Sequence, residues 1–228
     1  ELRTFIAGFR LSDEASCLVV GLGNWNATPD ALGPKVVEKI LVTRHLFESA
    51  PPEKRGGLRP VCAVSPGVLG LTGIETKEIV AGIVQRVKPA FLLVIDALAS
   101  RSTERMGSTV QIANTGINPG SGVGNHRLGL TAESLGVPVI AIGVPTVVEA
   151  RTIIYDALEQ ITSLGGPSIQ AYRKNVIDRV LSPYFQDLIV TPKEIDVLIT
   201  DLSRALAGAI NIALHPGVTA EEVFRYLE

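Results

Sequence analysis

Unbroken apolar runs recur along the chain, separated by stretches in which apolar residues return every three or four positions. SCLVVGLG (Ser16–Gly23), PVCAV (Pro60–Val64), FLLVIDALA (Phe91–Ala99) and VPVIAIGVP (Val137–Pro145) read as strands, the last two apolar enough to be buried inside a sheet. STVQIANT (Ser108–Thr115) alternates polar and apolar positions and reads as an edge strand. Helical spacing runs through DALGPKVVEKILVTRHLF (Asp30–Phe47), ETKEIVAGIVQRV (Glu75–Val87), TVVEARTIIYDALEQI (Thr146–Ile161) and TPKEIDVLITDLSRALAGAINIAL (Thr191–Leu214). The second of these opens at Thr72 and Gly73 and stops before Pro89. The last has Thr191 as N-cap, Pro192 at its first position and Glu194 to complete a capping box. Phe91–Ala99 is expected to end as a strand at Asp96.

Strands alternating with helices predict an α/β fold, a mostly parallel central sheet with helices on both faces. The first dozen residues show no period, so residues 1–15 are expected to be an N-terminal arm and residues 16–228 a single α/β domain. SLGGPS (Ser163–Ser168) reads as a flexible junction where helix gives way.

Composition narrows the function classes. Hydrophobic residues make up 46% and charged residues 19%, the balance of a globular chain with a substantial core. A net charge of −2, with Lys and Arg scattered, offers no field for nucleic acid. No apolar run approaches the roughly 18 residues of a bilayer span, and the start carries no secretory signal. The chain begins at Glu1, which reads as a processed or trimmed start. Cys17 and Cys62 lie beside apolar strands without a CxxC pair, so buried free thiols and a reducing compartment are expected.

The stretch GLGNWNATPDALGP (Gly21–Pro34) has the outline of a nucleotide-binding loop but lacks its parts. The third glycine of a dinucleotide fingerprint is replaced by Asn26, and no Gly-Lys-Ser/Thr follows. Trp25 and Pro29 leave few backbone N–H groups for a pyrophosphate. What remains is an acid at a helix start, with Thr28 as N-cap, Pro29 at the first position and Asp30 in the first turn. Asp30 either simply complements the helix dipole or faces a crevice. Asp96 stands where a buried strand should end, as a cap of the next turn or as a second crevice acid, since ligand groups gather at the carboxyl ends of parallel strands. Two carboxylates in one crevice can divide a proton, one activating water and the other protonating a leaving group. TGINPGSGVGN (Thr115–Asn125) is a surface loop or a substrate loop presenting backbone N–H groups. No G-x-S-x-G elbow precedes a helix, and buried thiols make poor nucleophiles.

GLGNWNATPDALGPKVV, SPGVLGLTGIET, IDALASRS, NTGINPGSGVGN, VPVIAIGVPTVV, VTPKEIDVLITDLSRALAGAIN and the NIALH ending together resemble the germination protease family. The resemblance implies an endopeptidase that degrades small acid-soluble spore proteins in the spore core, made as a zymogen and assembled as a homotetramer, with no membrane or nucleic-acid partner. It places the two catalytic aspartates at Asp30 and Asp96. It also implies a phosphorylase/hydrolase-like fold similar to the hydrogenase-maturation endopeptidases. Cleavage beside a glutamate makes Arg101 a carboxylate-binding residue or, equally, an ordinary ion-pair partner. Gly116, Gly120, Gly122 and Gly124 would bind substrate through their backbone.

In the hydrogenase-maturation enzymes the matching acids hold nickel with a histidine. Here His45 lies in a helix pattern, His215 lies near the end, and only His126 is placed to approach the crevice. A metal-free and cofactor-free carboxylate mechanism is therefore expected, against two alternatives. These are a metal-dependent endopeptidase using His126 and a non-catalytic binder of acidic spore proteins. A nucleoside phosphorylase is disfavoured, because no phosphate-binding constellation is present. The chain departs from the family in a shorter N-terminal segment and a shorter insertion after the Tyr155 helix. Asn114 and Asn118 stand where the family has Asp and His.

Overall fold

The apolar runs become the inner strands of a six-stranded sheet. β1 (Cys17–Gly21), β3 (Phe91–Ser100) and β5 (Val139–Glu149) lie side by side and parallel, with Cys17 opposite Phe91 and Leu93 opposite Ile140. Burial on both faces is what a run without alternation encodes. β2 (Val61–Val64) extends the parallel set beyond β1, giving the order β2-β1-β3-β5-β4. β4 (Gln111–Ala113) closes the other edge antiparallel to β5, as its alternating sequence predicts. β6 (Ile189–Val190) pairs antiparallel with the end of β5. This computed structural model describes residues 1–49, 51, 53, 55–118, 129–163 and 188–227. The SLGGPS junction lies outside the described residues from 164 onward.

Helices cover both faces. In chain order they are α1 (Leu2–Gly8), α2 (Leu32–Val37), α3 (Leu46–Ser49), α4 (Leu69–Thr72), α5 (Thr76–Val87), α6 (Ala132–Leu135), α7 (Ala150–Ser163), α8 (Ile195–Leu214) and α9 (Ala220–Leu227). Strand residues alternate between the faces. Val19, Leu93, Ile95 and Ile140 meet Leu32 and Val36 of α2 and Ile199, Ala207 and Ile210 of α8. Leu18, Val20, Leu92 and Val94 meet Val80 and Val84 of α5 on the other side. By length and a mean hydropathy of 1.5, α8 is long and apolar enough to cross a membrane, yet half of that window is buried inside the fold, as in the core helix of a globular domain. The first dozen residues, without legible period, contain α1, and its Ile6 joins the α8 core.

Several element boundaries differ from expectation. Asp30–Phe47 is not one helix. α2 ends at Val37, and the following main chain is claimed by tertiary partners. The Leu41 N–H donates to Asn211 Oδ1 at 2.9 Å, and Thr43 and Arg44 N–H both donate to the Val61 carbonyl at 2.9 Å. α5 is capped by a Glu75–Glu78 box, while Thr72 ends α4 and Gly73 supplies its left-handed C-cap. α8 starts at Ile195 with Glu194 as N-cap, so the Thr191 capping box does not form. Thr146–Glu149 continues β5, and α7 begins only at Ala150.

A polar knot sits at the amino edge of the parallel strands. Arg59 is 3% exposed and stacks over Phe91, its guanidinium carbon 5.4 Å from the ring centroid. It donates to the carbonyls of Ser12, Ala15 and Leu214 at 3.2, 2.6 and 3.1 Å. Its own N–H donates to His215 Nδ1 at 3.2 Å, and His215 Nε2 lies 3.0 Å from the Leu41 carbonyl. Both ring nitrogens are satisfied when the proton sits on Nε2. Burial lowers the His215 pKa, against the Leu41 carbonyl, which raises it; nearby Arg59 lowers it further.

Candidate active site

Past Gly21 the chain stays on the sheet for one more residue, with Leu22 N–H donating to the Ile95 carbonyl at 2.8 Å. It then folds back upon itself. A Cβ on Gly21 would strike the Gly33 carbonyl, and one on Gly33 would strike the Leu22 backbone. Gly23 has φ +119°, and a Cβ there would run into the Asp30 carbonyl oxygen. The glycines thus serve close backbone packing rather than a phosphate. Asn24 N–H donates to the Asp30 carbonyl at 3.1 Å, and Asp30 N–H to the Ala27 carbonyl at 2.8 Å. Thr28–Asp30 is a single 3-10 turn with Pro29 near its start, and its N-cap is Ala27 rather than Thr28. Asp30 is therefore presented by a loop closed at both ends.

Asp96 lies within β3 rather than at its end, because the strand continues to Ser100. It is opposite Gly143 of β5 and is 5% exposed. Two residues further on the ladder slips. Leu98 pairs with Pro145 and Ala99 with Val147, leaving Thr146 as an extra residue on β5. Such a bulge redirects the side chain it carries. Thr146 is buried, and its Oγ1 donates to the Pro29 carbonyl at 2.7 Å, immediately before Asp30. The bulge fastens the Asp30 loop to the strand beside Asp96.

Asp30 and Asp96 line one cavity of about 830 Å³ at the carboxyl edge of the parallel strands, together with Arg101, Arg105 and Asn118. That edge is where an open α/β sheet collects its ligand groups. The arrangement lines one cavity with two carboxylates, one of them buried, and two guanidiniums, groups whose chemistry can exchange protons and attract an anion. Of the residues singled out from the sequence, Asp30, Asp96 and Arg101 line this cavity. Arg105, four residues on with the same chemistry, lines it as well and was not singled out, nor was Thr146, whose contact with Pro29 depends on a register slip that no local pattern announces.

The glycine-rich loop is only partly in view. Gly116 has φ +84° and packs where a Cβ would strike the Leu130 carbonyl, a backbone demand rather than a cavity contact. Gly120, Gly122, Gly124 and His126 lie outside the described residues. His45 is exposed beside α3, and His215 is spent in the Arg59 knot. Among the described residues no group of three His, Cys, Asp or Glu could hold a metal ion, so Asp30 and Asp96 have no described third donor. Cys17 is fully buried, whereas Cys62, read as buried, is half-buried. Burial raises both thiol pKa values, which keeps the thiols protonated and unreactive.

The germination protease family model matches residues 1–171 and 159–227. A germination protease from Caldanaerobacter subterraneus subsp. tengcongensis is 54% identical over 232 residues, covering 96% of this chain and 72% of the relative. One from Clostridium tetani is 48% identical over 239 residues, covering 99% and 74%. Among solved structures, a nickel–iron hydrogenase maturation protease from Thermococcus kodakarensis aligns with a TM-score of 0.43 at 19% identity, covering 88% of this chain and 92% of that one.

Proposed function

The chain belongs to the germination protease family and is an endopeptidase; from that premise we propose that Asp30 and Asp96 are its hydrolytic pair and that its substrates are small acid-soluble spore proteins, cut in the spore core at germination. The observation that carries the proposal is the placing of both acids on the wall of one cavity by elements held from several sides. At the start of the cycle one aspartate is ionised and the other protonated. The ionised group takes a proton from water as its oxygen attacks the peptide carbonyl, and the protonated group gives its proton to the departing amine. The pair ends with the proton on the opposite carboxyl and one water consumed. In the same reading Arg101 would hold a substrate carboxylate. Assembly as a homotetramer and synthesis as a zymogen belong to the same reading.

The test is incubation with a small acid-soluble spore protein, alongside Asp30→Asn and Asp96→Asn variants, with products identified by mass spectrometry. Each folded variant is expected to lose at least about 100-fold in rate, the scale of general acid–base assistance. Cleavage at the unaltered rate by either variant removes that aspartate from the chemistry. An intact substrate with the unaltered protein, in both zymogen and processed forms, overturns the substrate assignment.

A further inference from the structure

We propose that Arg105 determines specificity in this cavity by forming with Arg101 a two-guanidinium clamp for one carboxylate of the bound peptide, and that Asp156 of α7 positions the clamp. The inference rests on the cavity being the cleavage site and adds to it the residues that read the substrate.

The segment after β3 is pinned while its charged heads are not. Ser100 Oγ donates to the Ser102 carbonyl, and the Ser102 N–H donates back to Ser100 Oγ at 3.3 Å. Thr103–Arg105 forms a 3-10 turn whose first residue is tied to α7, with Thr103 N–H and Oγ1 both donating to Asp156 Oδ2 at 3.2 Å. Gly107 N–H then donates to the Pro145 carbonyl at 2.7 Å, beside the bulge that holds the Asp30 loop. Between these anchors Arg101 and Arg105 both reach the cavity wall. Among the described residues neither guanidinium makes a hydrogen bond or ion pair, not even with Glu104 between them. A structural arginine in a folded chain is normally engaged, as Arg59 is; a held backbone carrying two unengaged guanidiniums is arranged for a partner that arrives.

Charge arithmetic gives the partner its class. An aspartate pair sharing one proton carries a single negative charge, and two guanidiniums carry two positive ones. Among the described lining residues the balance is then short of one negative charge, which a single ligand carboxylate supplies. Two planar forks can also satisfy both oxygens of a carboxylate, which a neutral amide of the same shape cannot do.

The test uses two peptides that differ only by Glu or Gln beside the scissile bond, and reads the ratio of their kcat/KM values. The unaltered protein should prefer Glu. Arg105→Gln should cut that preference roughly tenfold, the value of a charge-assisted bond lost, with Arg105→Lys recovering part of it. Asp156→Ala, which removes the acceptor of both Thr103 bonds, should lower the ratio in the same direction while the folded protein still cuts the Gln peptide at its original rate. A ratio unmoved by Arg105→Gln overturns the clamp. A ratio unmoved by Asp156→Ala overturns the positioning role. Fluorescence anisotropy with the same peptides on Asp96→Asn protein separates the clamp from the cleavage reading. A Glu preference in binding that Arg105→Gln erases upholds the clamp even if no peptide is cut; equal binding of both peptides overturns it.

Discussion

Gly23 shows how closely one residue can be constrained by its neighbours. Its φ of +119° and the Asp30 carbonyl against its α-carbon leave no place for a side chain. Gly23→Ala is therefore expected to cost about 1–3 kcal/mol in stability and to displace Asp30, lowering peptide cleavage at least tenfold. Urea denaturation and cleavage rate together check this. An alanine variant with the original rate would mean that the turn does not fix the acid. Asp30 was legible because the residues around it failed every test for a phosphate loop, leaving the acid as the remaining chemistry. Asp96 was legible as a charge in an apolar run. Its depth was not, since a carboxylate looks like a strand end until the cavity beside β3 explains its tolerance there.

Elements were legible where burial alone decides them. β1, β3 and β5 are unbroken apolar runs, and α5 is an amphipathic helix between a cap and a proline. The stretch after Asp30 misled because Val36, Val37, Ile40 and Leu41 keep helical spacing while the main chain is drawn off by Asn211 and Val61, partners at 170 and 18–17 residues' remove. Local spacing cannot register that competition. The same C-terminal region sets a pH dependence. His215 is fully buried and neutral, with a pKa lowered from its ordinary 6.5, chiefly by burial. Its folded pKa lies below its unfolded one, so the unfolded chain binds more protons as pH falls through 6.5, and stability declines in that window. Urea midpoints from pH 7.5 to 5 should fall, and His215→Gln, which can still donate to the Leu41 carbonyl, should flatten the part of the slope that His215 supplies. An unchanged slope would place the titration elsewhere.

Across the whole molecule the two polar centres lie at opposite edges of the parallel sheet. The Arg59 knot closes the amino edge, and the cavity opens at the carboxyl edge, with fully apolar strands between. Changes at the amino edge should therefore register mainly as stability, whereas those at the carboxyl edge should reach the cleavage rate as well. Thr146 lies at the second edge and tests this division by its removal. Deleting it would let Leu98–Pro145 and Ala99–Val147 follow one another in a regular ladder, with no downstream register altered. The variant should fold cooperatively, with a melting temperature near the parent's, yet lose cleavage as the Pro29 carbonyl loses its anchor; a parent-like rate would show that the anchor is dispensable. Selection for a durable sheet alone would thus have no use for this position. On the proposed mechanism, the trace of catalysis would be kept partly in length, as one residue more than the fold requires, where a catalogue of substitutions would never look for it.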